Sequence, residues 1–240
     1  MDTSIATGPR IALGLSTIAF AVAFNIPYAT LSSIFEYPDV LRRPAGEILT
    51  LFHAGGASLI FTWHAFALAA LLFVPVSAAL SLTADRVDRH PALSVGAAIA
   101  GGLAGLAQAI GLWRWVFVVP GLARAYVDPA GTDEARAMAV GTFDLINLYG
   151  GVAIGEHIGQ LLTALFILML AIVQIREKSR VTAGIGFAAS LAIVLGTGEG
   201  LSIALGRSGE LFSLATIGGF LLLTAWLIAT GVTLLRGKRA

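Results

Sequence analysis

The chain has no cysteine among its 240 residues. Disulfides, thiolate nucleophiles, iron–sulfur clusters and thiolate metal sites are therefore excluded together. Charge is the next scarcity. Asp, Glu, Lys and Arg make up 12% of the sequence, against about 25% in a soluble domain. Little of the chain is left to build a water-facing domain. The net charge of +1 lacks the basic footprint that nucleic acid requires, so nucleic acid is not expected as a partner. No HEXXH zinc motif occurs, and no serine stands beside an obvious base. Ser202, three residues after Glu199, is the nearest approach to a dyad, which points away from an enzyme.

Apolar residues are abundant instead. They make up 57% of the positions, and the mean hydropathy is +0.87. A bilayer core takes roughly 20 apolar residues per helix. Six stretches qualify, at about 11–34, 54–82, 93–119, 142–173, 182–206 and 211–235. In lipid every backbone polar group must be paired within the segment, so spans of this length are helices. The expected fold is all-α: a polytopic membrane bundle of six transmembrane helices, one transmembrane domain over 1–240, with the lipid bilayer as partner. The first run exceeds the ~7–15 residues of a secretory h-region. Ala21-Val22-Ala23 lies inside it, so an uncleaved first helix is expected.

Orientation follows from the basic residues. Arg10, Arg86, Arg89, Arg176, Lys178, Arg180, Arg236, Lys238 and Arg239 fall on one side. Arg42, Arg43, Arg124, Arg136 and Arg207 fall on the other. Nine against five places both termini in the cytoplasm. The two long outer connections share Tyr, Pro, Asp and Gly, which we read as chance among common loop residues. Trp113 and Trp115, near the outer end of the third span, are expected in an aromatic belt at the interface.

Six ionisable residues sit inside these spans: His64, Arg114, Asp144, Glu156, His157 and Glu199. A charge at the bilayer centre costs ~2.5–3.5 kcal/mol on insertion scales, so such residues usually face a protein interior. They form the candidate ligand-binding set, in the outer half of the bundle. His53 lies three turns before His64 on one helix face, and the pair is expected to share a stripe. Arg114 has two expected fates. It snorkels to the headgroups, or it neutralises Asp144, Glu156 or Glu199. A carboxylate left unpaired would have a raised pKa and suit proton or cation traffic. Asp144 and Asn147 are expected at the outer entry of the fourth span. Gly196-Thr197-Gly198-Glu199-Gly200 is glycine-rich enough to break the fifth helix. Pro27 and Pro75 mark expected kinks. Gly151, Gly155 and Gly159, and Gly101 and Gly105, form ridges for close helix packing, inside the chain or with a partner helix.

Two motifs carry a resemblance: Glu36-Tyr37-Pro38-Asp39-Val40-Leu41-Arg42 after the first span, and Gly155-Glu156-His157-Ile158-Gly159 in the fourth. Through them the chain resembles a bacterial multi-pass membrane family, domain of unknown function 4386. The resemblance implies a six-helix protein of a bacterial cytoplasmic (inner) membrane. It supplies no activity, but marks Glu156 and His157 as motif positions.

Three functions compete. The leading one is a non-enzymatic membrane protein whose buried polar site binds or passes a small solute, cation or proton. The second is a b-type haem or metal protein, with His64 and His157 as ligands. The third is an accessory or assembly subunit of a larger membrane complex, with the polar residues fixing helix packing.

Overall fold

The structure is a computed structural model and describes residues 7–237. Lys238 and Arg239, used above for orientation, lie outside the described residues. The helices are α1 (Thr7–Phe35), α2 (Ala45–Ser81), α3 (Ala84–Arg89), α4 (Pro91–Phe117), α5 (Val119–Val127), α6 (Asp133–Ile146), α7 (Gly159–Arg176), α8 (Arg180–Gly196), α9 (Gly198–Ala204) and α10 (Glu210–Leu235). A 3-10 turn, Asp39–Arg42, follows α1, and a π-helical segment, Asn147–Ile158, joins α6 to α7. No strand occurs among the described residues. Six helical stretches among them are long and apolar enough to cross a membrane: Gly8–Phe35, Ala45–Ser81, Pro91–Val127, Asp133–Arg176, Arg180–Ala204 and Glu210–Leu235. The protein is an integral, multi-pass membrane protein.

Several helices extend past their apolar windows, for local reasons. The α2 helix starts at Ala45, where the Pro44 carbonyl accepts from the amides of Glu47 and Ile48. The α6 helix starts at Asp133, where the Thr132 hydroxyl caps the Ala135 amide at 3.2 Å. Asp144 therefore lies well inside a helix and not at its entry. Both α1 and α2 run through their prolines, Pro27 and Pro75. The interruption in α2 is at Gly56, whose φ of +58° and ψ of −151° suit only glycine. It separates His53 from His64, so the expected common stripe is broken. The fifth span is interrupted at Thr197, between α8 and α9.

The described residues divide into two compact units. One comprises 7–23, 72–106 and 157–237, and the other 24–71 and 107–156. In the first unit α8 packs against α7 and α10. Phe20 stacks on Phe73 at 5.6 Å, and Phe166 meets Phe73 and Trp226 edge-on. Buried polar groups pair with one another here. Trp226 Nε1 donates to Gln174 Oε1 at 2.9 Å, and Gln174 Nε2 donates to Thr230 Oγ1 at 3.0 Å. Arg86 Nε and Nη2 donate to the two Glu177 carboxylate oxygens at 2.6 and 2.8 Å, tying α3 to the end of α7. Ile99, Leu103 and Leu106 on α4, and Leu161, Leu165 and Leu168 on α7, are exposed at helical spacing. Apolar stripes of this kind need lipid as their solvent.

The second unit has an aromatic core. Trp63 of α2 and Trp115 of α4 stack at 4.8 Å with planes 9° apart. Phe52 stacks on Trp115, and Phe35 meets both indoles edge-on. Each such pair contributes about 0.5–1.5 kcal/mol beyond its area. Trp63 and Trp115 are fully buried, which corrects the interfacial-belt expectation for Trp115. Mutual aromatic packing outcompetes the headgroup region for this ring.

Candidate functional site

The second unit gathers the polar residues of the two sequence motifs. The α1 helix ends where Glu36 adopts φ +53°, and the Tyr37 amide donates back to the Leu31 carbonyl at 3.3 Å. The chain then turns through Asp39–Arg42, burying Val40 and Leu41. Glu36 pairs with Arg43. Arg42 is left to reach the fourth span, where its Nη2 lies 2.6 Å from Glu156 Oε2. The first motif thus supplies the cation for the carboxylate of the second. The ion-pair partner of Glu156 is Arg42, from the connection after α1.

Glu156 sits in the π-helical segment Asn147–Ile158. Twelve residues of π-helix is long, because such geometry is mostly confined to single-turn bulges, frequently at functional sites. Its glycines admit close neighbours. A Cβ on Gly111 of α4 would lie 2.7 Å from the Gly155 Cα, so only paired glycines permit this approach. A Cβ on Gly151 would lie 2.6 Å from the Arg114 guanidinium carbon, so Gly151 makes room for that side chain.

Arg114 is 8% exposed. It does not snorkel, and its hydrogen bonds go to no carboxylate. Nη1 donates to the Gly111 carbonyl, and Nη2 donates to Asn147 Oδ1 at 3.0 Å. The guanidinium carbon lies 5.1 Å from the centre of the Trp115 ring, a cation–π distance. Among the described residues its Nε has no hydrogen-bond partner, and neither does the indole Nε1 of Trp63 or Trp115. Tyr37 reports the field nearby. Its hydroxyl is pushed well above the ordinary tyrosine range, first by desolvation and then by the Glu156 charge and Tyr28, while Arg114 and Arg42 act against the rise.

The remaining candidates disperse. His64 is half-buried, and its Nδ1 accepts from Trp113 Nε1 at 3.3 Å. An indole only donates, so the neutral ring carries its proton on Nε2. Metal-ligating histidines usually show the reverse, with one nitrogen donating outward and the other free to bind. His157 belongs to the other unit, where its Nδ1 lies 3.2 Å from the Thr197 carbonyl oxygen. A carbonyl only accepts, so this nitrogen donates, and the bond falls at the break between α8 and α9. Glu199 begins α9 in that same unit, half-buried. Asp144 is exposed on α6 and takes no part. Among the described residues, no three His, Asp or Glu gather as a metal site would require. Gly101 abuts Ser77 and Phe166, so that ridge position is occupied within its own unit.

Sequence reasoning missed Tyr37 and Arg42 as site residues, and placed Asn147 at a helix entry. The signal was present: Tyr37 and Arg42 belong to the same motif pair as Glu156. No curated protein and no solved structure matches the chain. A family model matches residues 12–231, nearly the whole chain, and the protein belongs to the family described as Domain of unknown function (DUF4386).

Proposed function

We propose that this protein is a non-enzymatic membrane protein that binds, and through binding passes, a small solute at the Arg42–Glu156–Arg114–Asn147 cluster. One observation carries the reading: a desolvated guanidinium, 8% exposed, holds an N–H without an acceptor among the described residues. A buried donor left unmatched costs about 1–3 kcal/mol, more for a charged group. Fold maintenance alone favours removing such a group, and a ligand that supplies the acceptor explains keeping it. The long π-helix on which Glu156 and Asn147 sit supports the same reading.

The test is a thermal-shift screen of the detergent-purified full chain against small cations, neutral solutes and anions. The same screen is run on Glu156→Gln and Arg114→Gln. At least one solute should raise the melting temperature of the native chain and fail to do so in one of the variants. A screen in which every stabilising solute acts equally on all three proteins refutes the site.

We further infer that both termini face the cytoplasm of a bacterial inner membrane, from nine basic residues against five on the two sides. A fluorescent protein fused to the C-terminus should then mature and emit. A dark fusion of normal abundance reverses the orientation.

A further inference from the structure

The donors of the second unit point to the class of solute. Three buried N–H groups there have no acceptor: Arg114 Nε, Trp63 Nε1 and Trp115 Nε1. The two indoles are stacked on each other, and the guanidinium lies over one of them. Among the described residues no side-chain acceptor of this unit is buried without a partner, and Asn147 Oδ1 and the Gly111 carbonyl take the terminal nitrogens of Arg114. Every unmatched group is a donor, so the complement is an acceptor. Charge narrows it further. Arg42 and Arg114 are two cations, and the carboxylate facing them, Glu156, is held by Arg42 at 2.6 Å. The cluster therefore carries a net charge of +1, which a monoanion neutralises and a dianion would overcompensate. Water would fill a donor but leave that charge.

Geometry and surroundings narrow it again. The unmatched N–H of Arg114 is the one at Nε, a cationic donor of the kind that a carboxylate oxygen accepts in a charge-assisted hydrogen bond. The side chains around it, Trp115, Trp63, Phe35 and Phe52, are aromatic and buried. Such surroundings favour an acid with an apolar body over a hydrated one.

We propose that the solute is an organic monocarboxylate, its carboxylate taken by the Nε donor of Arg114 and its apolar body placed against the aromatic core. This rests on the solute-site reading above. The acid has two possible sources, a small soluble acid or the head of a free fatty acid, and both present the same group.

The experiment uses the full chain in detergent, titrated calorimetrically at constant ionic strength. The probes are sodium benzoate, octanoate and oleate, with chloride and sulfate as charge controls. Saturable binding of a carboxylate is expected. Arg114→Lys keeps the charge but loses the Nε donor, and should weaken binding about tenfold, the loss of one good charge-assisted bond. Trp115→Phe keeps the ring but loses one donor, and should weaken it a few-fold, which keeps the test open if Arg114 variants fold poorly. Trp226→Phe, in the other unit, should leave the affinity unchanged. Binding of oleate alone assigns the site to a lipid-derived acid, whereas binding of benzoate or octanoate assigns it to a soluble one. Sulfate binding as tightly as any carboxylate overturns the proposal. So does carboxylate affinity that is indifferent to both Arg114→Lys and Trp115→Phe. If no acid binds but a cation or neutral solute shows a shift that Glu156→Gln abolishes, the acid class falls and the solute site stands. If nothing in the wider screen binds, both fall.

Discussion

Replacing Gly111 with alanine tests the packing on which the site depends. The added Cβ would lie 2.7 Å from the Gly155 Cα, 3.1 Å from the Gly150 carbonyl oxygen and 3.3 Å from the Gly155 amide nitrogen. All three atoms are backbone of one helical segment, so no side chain can swing aside. Carbon atoms in contact prefer about 3.5–4.0 Å, so α4 and the π segment must part by about 1 Å. Overpacking of this kind costs about 1–3 kcal/mol, and a clash confined to backbone belongs near the top of that range. Alanine in a helix returns ~1 kcal/mol in propensity. The net loss is then about 2 kcal/mol, which lowers the melting temperature by about 4–8 °C for a chain of this length. Gly141→Ala is the control. It lies in α6 with nothing within 4 Å of the new atom, and should be neutral or stabilising by up to ~1 kcal/mol. Unfolding in dodecyl sulfate followed by circular dichroism, with scanning fluorimetry in parallel, reads both. If Gly111→Ala is as stable as Gly141→Ala, the close approach of α4 to the π segment is wrong.

Two further outcomes follow from single side chains. Trp226→Phe deprives the buried Gln174 Oε1 of its donor, whereas Trp115→Phe removes an N–H that has no acceptor among the described residues. In the same unfolding assay Trp226→Phe should cost about 1–3 kcal/mol more than Trp115→Phe, and equal costs refute the difference between the two indoles. Tyr37 titrates above its ordinary value, mainly through desolvation. Its stabilising contribution is thus fully present below the unfolded value of about 10 and is lost as pH rises past it. Between pH 9 and 11 the native chain should lose more stability than Tyr37→Phe, and its absorbance at 295 nm should show one tyrosine that ionises only on unfolding. Parallel stability profiles for the two proteins count against this assignment.

The spans were legible because lipid imposes a length and a composition that no loop satisfies. Helix starts were less legible, since Thr132 and Pro44 begin helices through local hydrogen bonds outside the apolar runs. The site was legible only in part. Glu156 and Arg114 stand out in any apolar sequence, because a charge there has no cheap explanation. Their partners do not. Arg42 lies in a connection, where an arginine is ordinary, and its reach to Glu156 depends on the left-handed residue Glu36 and the 3-10 turn that place it. Asp144 misled for the opposite reason: its position in an apolar run suggests burial, but its face of α6 is exposed. Trp115 misled because an indole near a span end suits a headgroup belt, and only the facing Trp63, Phe52 and Phe35 make burial better. The π-helix has no sequence signature beyond its glycines, and those also suit ordinary close packing.

The roles of the two arginines can be separated on physical grounds. Arg42 and Glu156 suffice to fasten the connection after α1 to the fourth span, and both remain partly exposed, so their desolvation is modest. Arg114 adds nothing to that fastening. Its carbonyl partner, Gly111, lies three residues earlier on its own helix, and its side-chain partner is a neutral amide. A glutamine would meet an amide and a carbonyl at far lower desolvation cost than a guanidinium. The feature unique to arginine at this position is an extra donor, Nε, on a positive charge, and among the described residues that donor has no partner. A structural role predicts that Arg114→Gln is stabilising or neutral, because a buried charge without a direct counter-ion has been removed. A binding role predicts the same stability change together with a loss of ligand response. Stability and response therefore move apart in this variant if Arg114 serves a ligand, and only stability moves if it serves the fold.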